Sequence, residues 1–121
     1  MNELLASMIG NYCRDSAPGK MQFGPPWWFN DHNAGILKHL ETLANYGVLG
    51  EFVGMTTDSR SFASYPRHEY FRRLLCRALG RWVEDGEYPD DEGAMRKLVE
   101  GICYYNAKRY FGFAADASDS R

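Results

Sequence analysis

Apolar positions recur at helical spacing in four stretches of the chain. Leu4, Leu5, Met8 and Ile9 predict a short helix within residues 3–12. Ile36, Leu37, Leu40, Leu43 and Ala44 give a second helix, starting at Asn33, one apolar face. Asn30 or Asp31 offers its N-cap oxygen and Gly47 its C-cap. Pro66 opens a long third helix, since its missing N–H would be unpaired in a first turn anyway. The stripe of that helix is Tyr70, Phe71, Leu74, Leu75, Ala78, Leu79, Trp82 and Val83, and it stops near Gly86. A last helix carries Met95, Leu98, Val99, Ile102, Cys103, Tyr105 and Ala107 on its inner side.

Two short runs between the helices read as strands. Met21-Gln22-Phe23-Gly24 ends at Pro25-Pro26, and Glu51-Phe52-Val53-Gly54-Met55 ends in the polar stretch Thr56 to Ser64. Strands alternating with helices predict βα units and parallel pairing. A two-stranded parallel sheet leaves both edges unpaired and both faces in need of cover, which makes it a poor free-standing fold. The pattern therefore predicts an α/β architecture completed elsewhere. A (β/α)8 TIM barrel takes ~250 residues, and a chain of 121 could supply only part of one. The closing residues, 114–121, are small and polar and read as a disordered tail.

Composition narrows the class. A net charge of -2 argues against broad attraction to nucleic acid or anionic membrane. No apolar run approaches the ~18 residues of a membrane span, and the first residues are amphipathic rather than signal-like. Cys13, Cys76 and Cys103 are few and widely spaced, which fits a reducing cytoplasm better than a secreted disulfide scaffold. Arg73, Arg77 and Arg81 share a helical stripe, but the five arginines from Arg67 to Arg81 outnumber Glu69, Glu84 and Asp85 by only two. A solvated face, or one touching further protein, explains that stripe better than a nucleic-acid site.

Reactive side chains of such barrels follow the C-terminal ends of strands. Two segments stand there: Gly24-Pro-Pro-Trp-Trp-Phe-Asn-Asp31 and Thr56-Thr-Asp-Ser-Arg-Ser61. In the second, the Asp58 carboxylate can bind metal or move a proton, and the Arg60 guanidinium can clamp a carboxylate or oxyanion. A polar turn capped by Asp58 is the plainer reading of the same residues. Trp27 and Trp28, adjacent after two prolines, can wall a sugar site. No C-x-x-C, H-x-H or H-E-x-x-H is present, and His32 and His39 read as surface histidines. Asp58, Ser61 and His68 lack the G-x-S-x-G elbow that would support a hydrolase triad.

Taken together, MQFGPPWWFND, FVGMTTDSRSF, YPRHEYFRRLLCRALGRWVEDGEYP and ICYYNAKRYF resemble the C-terminal region of the uronate (glucuronate) isomerases of the amidohydrolase superfamily, from about Leu4 to Phe111. The resemblance implies a C-terminal portion of a (β/α)8 barrel. Residues 1–113 would hold the seventh and eighth strands with their helices and a terminal helix. It implies the interconversion of D-glucuronate with D-fructuronate and of D-galacturonate with D-tagaturonate. By motif, Asp58 would contact a divalent metal (Zn or Mn) and share in proton transfer, Arg60 would stabilise the enediol oxygens, and Trp28 with Trp27 would line the sugar pocket. The family's H-x-H metal ligands are absent from this chain. The expectation is a chain that is inactive alone and binds no metal by itself. Its partners would be the uronate and either the remaining barrel or a second copy. A non-catalytic helical interaction module derived from the enzyme is the rival reading.

Overall fold

The computed structural model describes residues 1–12, 19–26 and 30–113. Five helices carry it: α1 (Asn2–Gly10), α2 (Asn33–Tyr46), α3 (Pro66–Glu84), α4 (Glu92–Glu100) and α5 (Asn106–Phe111). None of these is long and apolar enough to cross a membrane. The expected stripe of α3 forms the centre of the core. Phe71, Leu74, Leu75, Ala78 and Leu79 are buried against Ile36, Leu40 and Leu43 of α2 and against Phe52, Met55 and Ile102. Trp82, Met95, Leu98 and Val99 close the cluster from its rim. Tyr70 lies outside it and is exposed. On α1 only Ala6 is buried, and Leu4, Leu5 and Met8 face solvent.

The two expected parallel strands are not formed: no strand is present among the described residues. Residues 22–26 and 52–59 are irregular, and Leu49–Glu51 is a 3-10 turn. The physical reason is local. Pro25 and Pro26 have no N–H to give a ladder, and Gly54 turns to φ +82, which breaks an extended run. Side chains pair the segments instead. The Gln22 amide donates from Nε2 to the Glu51 carbonyl (2.8 Å), and its Oε1 accepts from the Val53 N–H (3.2 Å). This is the donor–acceptor pair a backbone peptide would have offered.

Two helix boundaries also depart from the sequence reading. The N-cap of α2 is His32, whose Nδ1 accepts from the Gly35 N–H at 3.3 Å. Asp31 does not cap, because its carboxylate is held by Arg67. Gly47 does end α2. The last helix is interrupted by a π turn at Gly101–Tyr105. One extra residue in the turn advances the phase, so Cys103 and Tyr105, expected inside, are exposed. Asn106 is buried in their place.

Asn106 ties this helix to the loop of the second segment. Its Nδ2 donates to the carbonyls of Gly50 (2.8 Å) and Phe52 (2.9 Å), and its Oδ1 accepts from Arg109. Arg109 in turn pairs with Glu51. Asn106→Leu would strip both carbonyls of a donor, and the expected loss of stability is about 2 kcal/mol. A denaturant midpoint equivalent to less than about 0.5 kcal/mol of loss would show that water replaces the amide there.

Candidate functional site

Segment 52–55 runs inward, with Phe52, Gly54 and Met55 buried, and then emerges at Thr56. The chain turns sharply at Asp58, the one described non-glycine residue with positive φ (+44). Aspartate tolerates this left-handed conformation better than most residues, and such positions concentrate where structure over-determines the backbone. Met55, Thr56, Thr57, Asp58, Ser59, Arg60 and His68 line an open depression of about 440 Å³. Asp58 and Arg60 are thus brought to one concavity, both exposed. His68, on the first turn of α3, joins them.

The far side of the loop is fixed by short-range hydroxyl bonds. Ser59 Oγ accepts from the Ser61 N–H (3.3 Å), and Ser61 Oγ accepts from the Ala63 N–H (3.2 Å). Ser61 is thereby the N-cap of a 3-10 turn at Phe62–Ser64. The near side is fixed by Arg67. Its Nη1 donates to the Thr57 carbonyl (2.9 Å), and its Nη2 pairs with Asp31 Oδ2.

Histidine placement corrects the sequence reading. His39 is not a surface residue: it is buried to 1% exposure between Phe23 and Phe52, edge-on to both rings. Its Nε2 lies 3.1 Å from the Phe23 carbonyl, and its Nδ1 has no hydrogen-bond partner among the described residues. Burial pushes its pKa down to about 4, against a smaller upward pull from the Phe23 carbonyl. Such a group is a neutral member of the core. Trp27 and Trp28, proposed above for the sugar pocket, lie outside the described residues.

A divalent cation at Asp58 would need several donors around it. A catalytic site of that kind offers about three protein ligands. Among the described residues no group of three or more His, Cys, Asp and Glu is placed to hold one. Among the described residues, Asp58 with His68 alone falls short of that number.

A family profile described as Glucuronate isomerase matches residues 1–111. The chain belongs to that family. Among curated glucuronate isomerase relatives, the uronate isomerase of Caldicellulosiruptor saccharolyticus is 60% identical over 112 residues, covering 93% of this chain and 24% of that protein. The uronate isomerase of Salmonella newport is 58% identical over 110 residues, with 91% and 23% covered. The crystal structure of uronate isomerase from Thermotoga maritima superposes with a TM-score of 0.72 at 35% identity, covering 91% of this chain and 22% of that one. The chain therefore spans about a quarter of the length of these relatives.

The glucuronate isomerase motif had pointed to Asp58 and Arg60, but not to the residues that hold their loop. In the sequence Arg67 figures as one of the five arginines between Arg67 and Arg81, outside the stripe of Arg73, Arg77 and Arg81. A signal was available: a cation in the first turn of a helix opposes the macrodipole, and its presence at the position after Pro66 asks for a partner. Gln22 and Asn106 carry no comparable mark, because a lone amide in an amphipathic stretch looks like surface until the partner segment is placed.

Proposed function

We propose that this chain supplies the Asp58–Arg60 corner of a uronate isomerase site within a (β/α)8 barrel, residues 1–113 standing for its C-terminal part. The substrates are D-glucuronate, giving D-fructuronate, and D-galacturonate, giving D-tagaturonate. The reading rests on family membership over residues 1–111 and above all on one observation. Asp58 is held in a left-handed turn two residues from Arg60, at the same depression.

The chemistry is a proton transfer within the sugar. A base takes the proton from C2, the C2–C1 double bond forms, and the C1 carbonyl oxygen takes up a proton to give the enediol. The O2 hydroxyl then loses its proton as C1 gains one, leaving a ketone at C2 with no net change in atoms. Asp58 is suited to carry the proton between C2 and C1. Arg60 donates to the enediol oxygens as negative charge develops on them. Trp27 and Trp28 would wall the ring. A divalent cation, Zn²⁺ or Mn²⁺, would need ligands beyond those described here. For that reason the chain alone is expected to be inactive, and its natural partner is the rest of such a barrel.

The test uses two proteins in a D-glucuronate isomerase assay with Zn²⁺ or Mn²⁺ added. One is this chain alone. The other is a hybrid in which it replaces the matching segment of the C. saccharolyticus uronate isomerase. The chain should show no turnover and the hybrid should be active. Asp58→Asn should lower hybrid kcat by about 10²-fold or more, the range of a lost general acid–base group. Asp58-dependent turnover by the chain alone would overturn its incompleteness. An Asp58→Asn hybrid with full activity would overturn the site.

A further inference from the structure

We infer that Arg67 is a positioning residue that sets the backbone conformation of Asp58 by clamping its loop to the segment that ends at Asp31. The catalytic meaning of the clamp rests on the function proposed above. The clamp itself does not.

Arg67 is the second residue of α3, directly after Pro66. A cation at that end faces the positive pole of the helix dipole and weakens the helix, so helix formation does not account for it. Its two terminal nitrogens reach in different directions. Nη2 pairs with the Asp31 carboxylate, 36 residues earlier in the chain, and Nη1 donates to the Thr57 carbonyl. Both partners are half-buried: the side chains of Arg67 and Asp31 are 33% and 26% exposed. The planar guanidinium fork fixes the angle between the two bonds, which a lysine ammonium on a flexible stem does not.

The Thr57 carbonyl is the informative partner. It belongs to the peptide group whose nitrogen is that of Asp58. Holding that oxygen fixes the plane from which the Asp58 φ is measured. Asp58 has φ +44, a conformation that costs a non-glycine residue of order 1–2 kcal/mol relative to the right-handed form. It persists only while neighbouring contacts hold it. The serine bonds of Ser59 and Ser61 act after Asp58 in the chain, and Arg67 acts before it. Between these two anchors the turn is determined from both sides. Asp31 follows the Trp27–Phe29 stretch and directly precedes His32, the N-cap of α2. Through one guanidinium, the loop bearing Asp58 and Arg60 is thus registered to the segment that follows the tryptophans.

The test compares Arg67→Lys, which keeps the charge and loses the fork, with the unaltered chain. In the full chain, the three-bond HN–Hα coupling of Asp58 reports its φ directly. It should move in Arg67→Lys, together with faster amide exchange confined to residues 30–32 and 56–60, while protection of the α2–α3 core is retained. In the hybrid enzyme, kcat should fall about 10-fold or more with KM changed less than about threefold, since a displaced base costs chemistry before binding. Asp31→Asn should act in the same direction and more weakly, and serves if Arg67→Lys does not fold. An Asp58 coupling unchanged in a folded variant overturns the inference, as does full kcat in the variant hybrid. If the unaltered hybrid is itself inactive, the proposed function fails, and the coupling measurement alone decides the clamp.

Discussion

Gly54→Ala is expected to cost about 3 kcal/mol, enough to leave much of the chain unfolded near room temperature if its stability is modest. Two effects add. Gly54 has φ +82, and an alanine there carries the left-handed penalty of roughly 1 kcal/mol. A Cβ at Gly54 would also stand 2.6 Å from the carbonyl oxygen of Ile102. That oxygen is backbone in the π turn, so it cannot rotate away as a side chain end would. Either segment 52–55 lifts from the helix, which strains the Asn106 bonds to Gly50 and Phe52, or the π turn moves and disturbs Ile102, a core residue at 1% exposure. Urea unfolding of the variant measures it: the midpoint should drop at constant slope. A loss under about 1 kcal/mol would mean that one of the two segments yields freely.

Acid should destabilise the fold through His39 well before the carboxylates titrate. In the unfolded chain this imidazole takes up its proton near pH 6.5, whereas in the fold its pKa is pushed down to about 4 by burial. Between those values the unfolded state binds more protons, so stability falls as pH falls. The contribution is fully present above about pH 6.5. It is lost progressively down to about pH 4, with a total on the order of 3 kcal/mol. The cause is visible in the site. Protonation would add a hydrogen at Nδ1, which has no acceptor among the described residues, and a charge between the rings of Phe23 and Phe52. His39→Gln can keep a donor towards the Phe23 carbonyl without a titrating group. Stability against pH should begin to fall in the unaltered chain below about 6.5 and be nearly flat in the variant down to about pH 5, where the carboxylates start to take up protons. Parallel curves would exclude His39 as the cause.

The helices were legible because their apolar spacing is strong. The stripe from Phe71 to Leu79 and the Pro66 start were read directly, and so was the Gly47 stop. The strands were misread for a reason the residues contain. Four apolar or neutral residues before two prolines satisfy a pattern, but a ladder also needs consecutive donors and a partner with matching backbone, and here Gln22 supplies both roles from a side chain. His39 was misplaced because single histidines say nothing of burial, and it sits on the same helical face as Ile36, Leu40 and Leu43, which does. At the candidate site the family resemblance points to Asp58 and Arg60, whereas the Arg67 clamp spans 36 residues to Asp31 and no local pattern encodes such a pairing.

The π turn at Gly101–Tyr105 makes the last helix sensitive to its winding. Rewinding the same residues as a regular α-helix would be an improvement by every local measure. It would also rotate everything downstream by about 100°, carrying Asn106 away from Gly50 and Phe52 and Arg109 away from Glu51. The irregularity is a spacer: by absorbing one residue it sets the phase at which the end of the chain meets its middle.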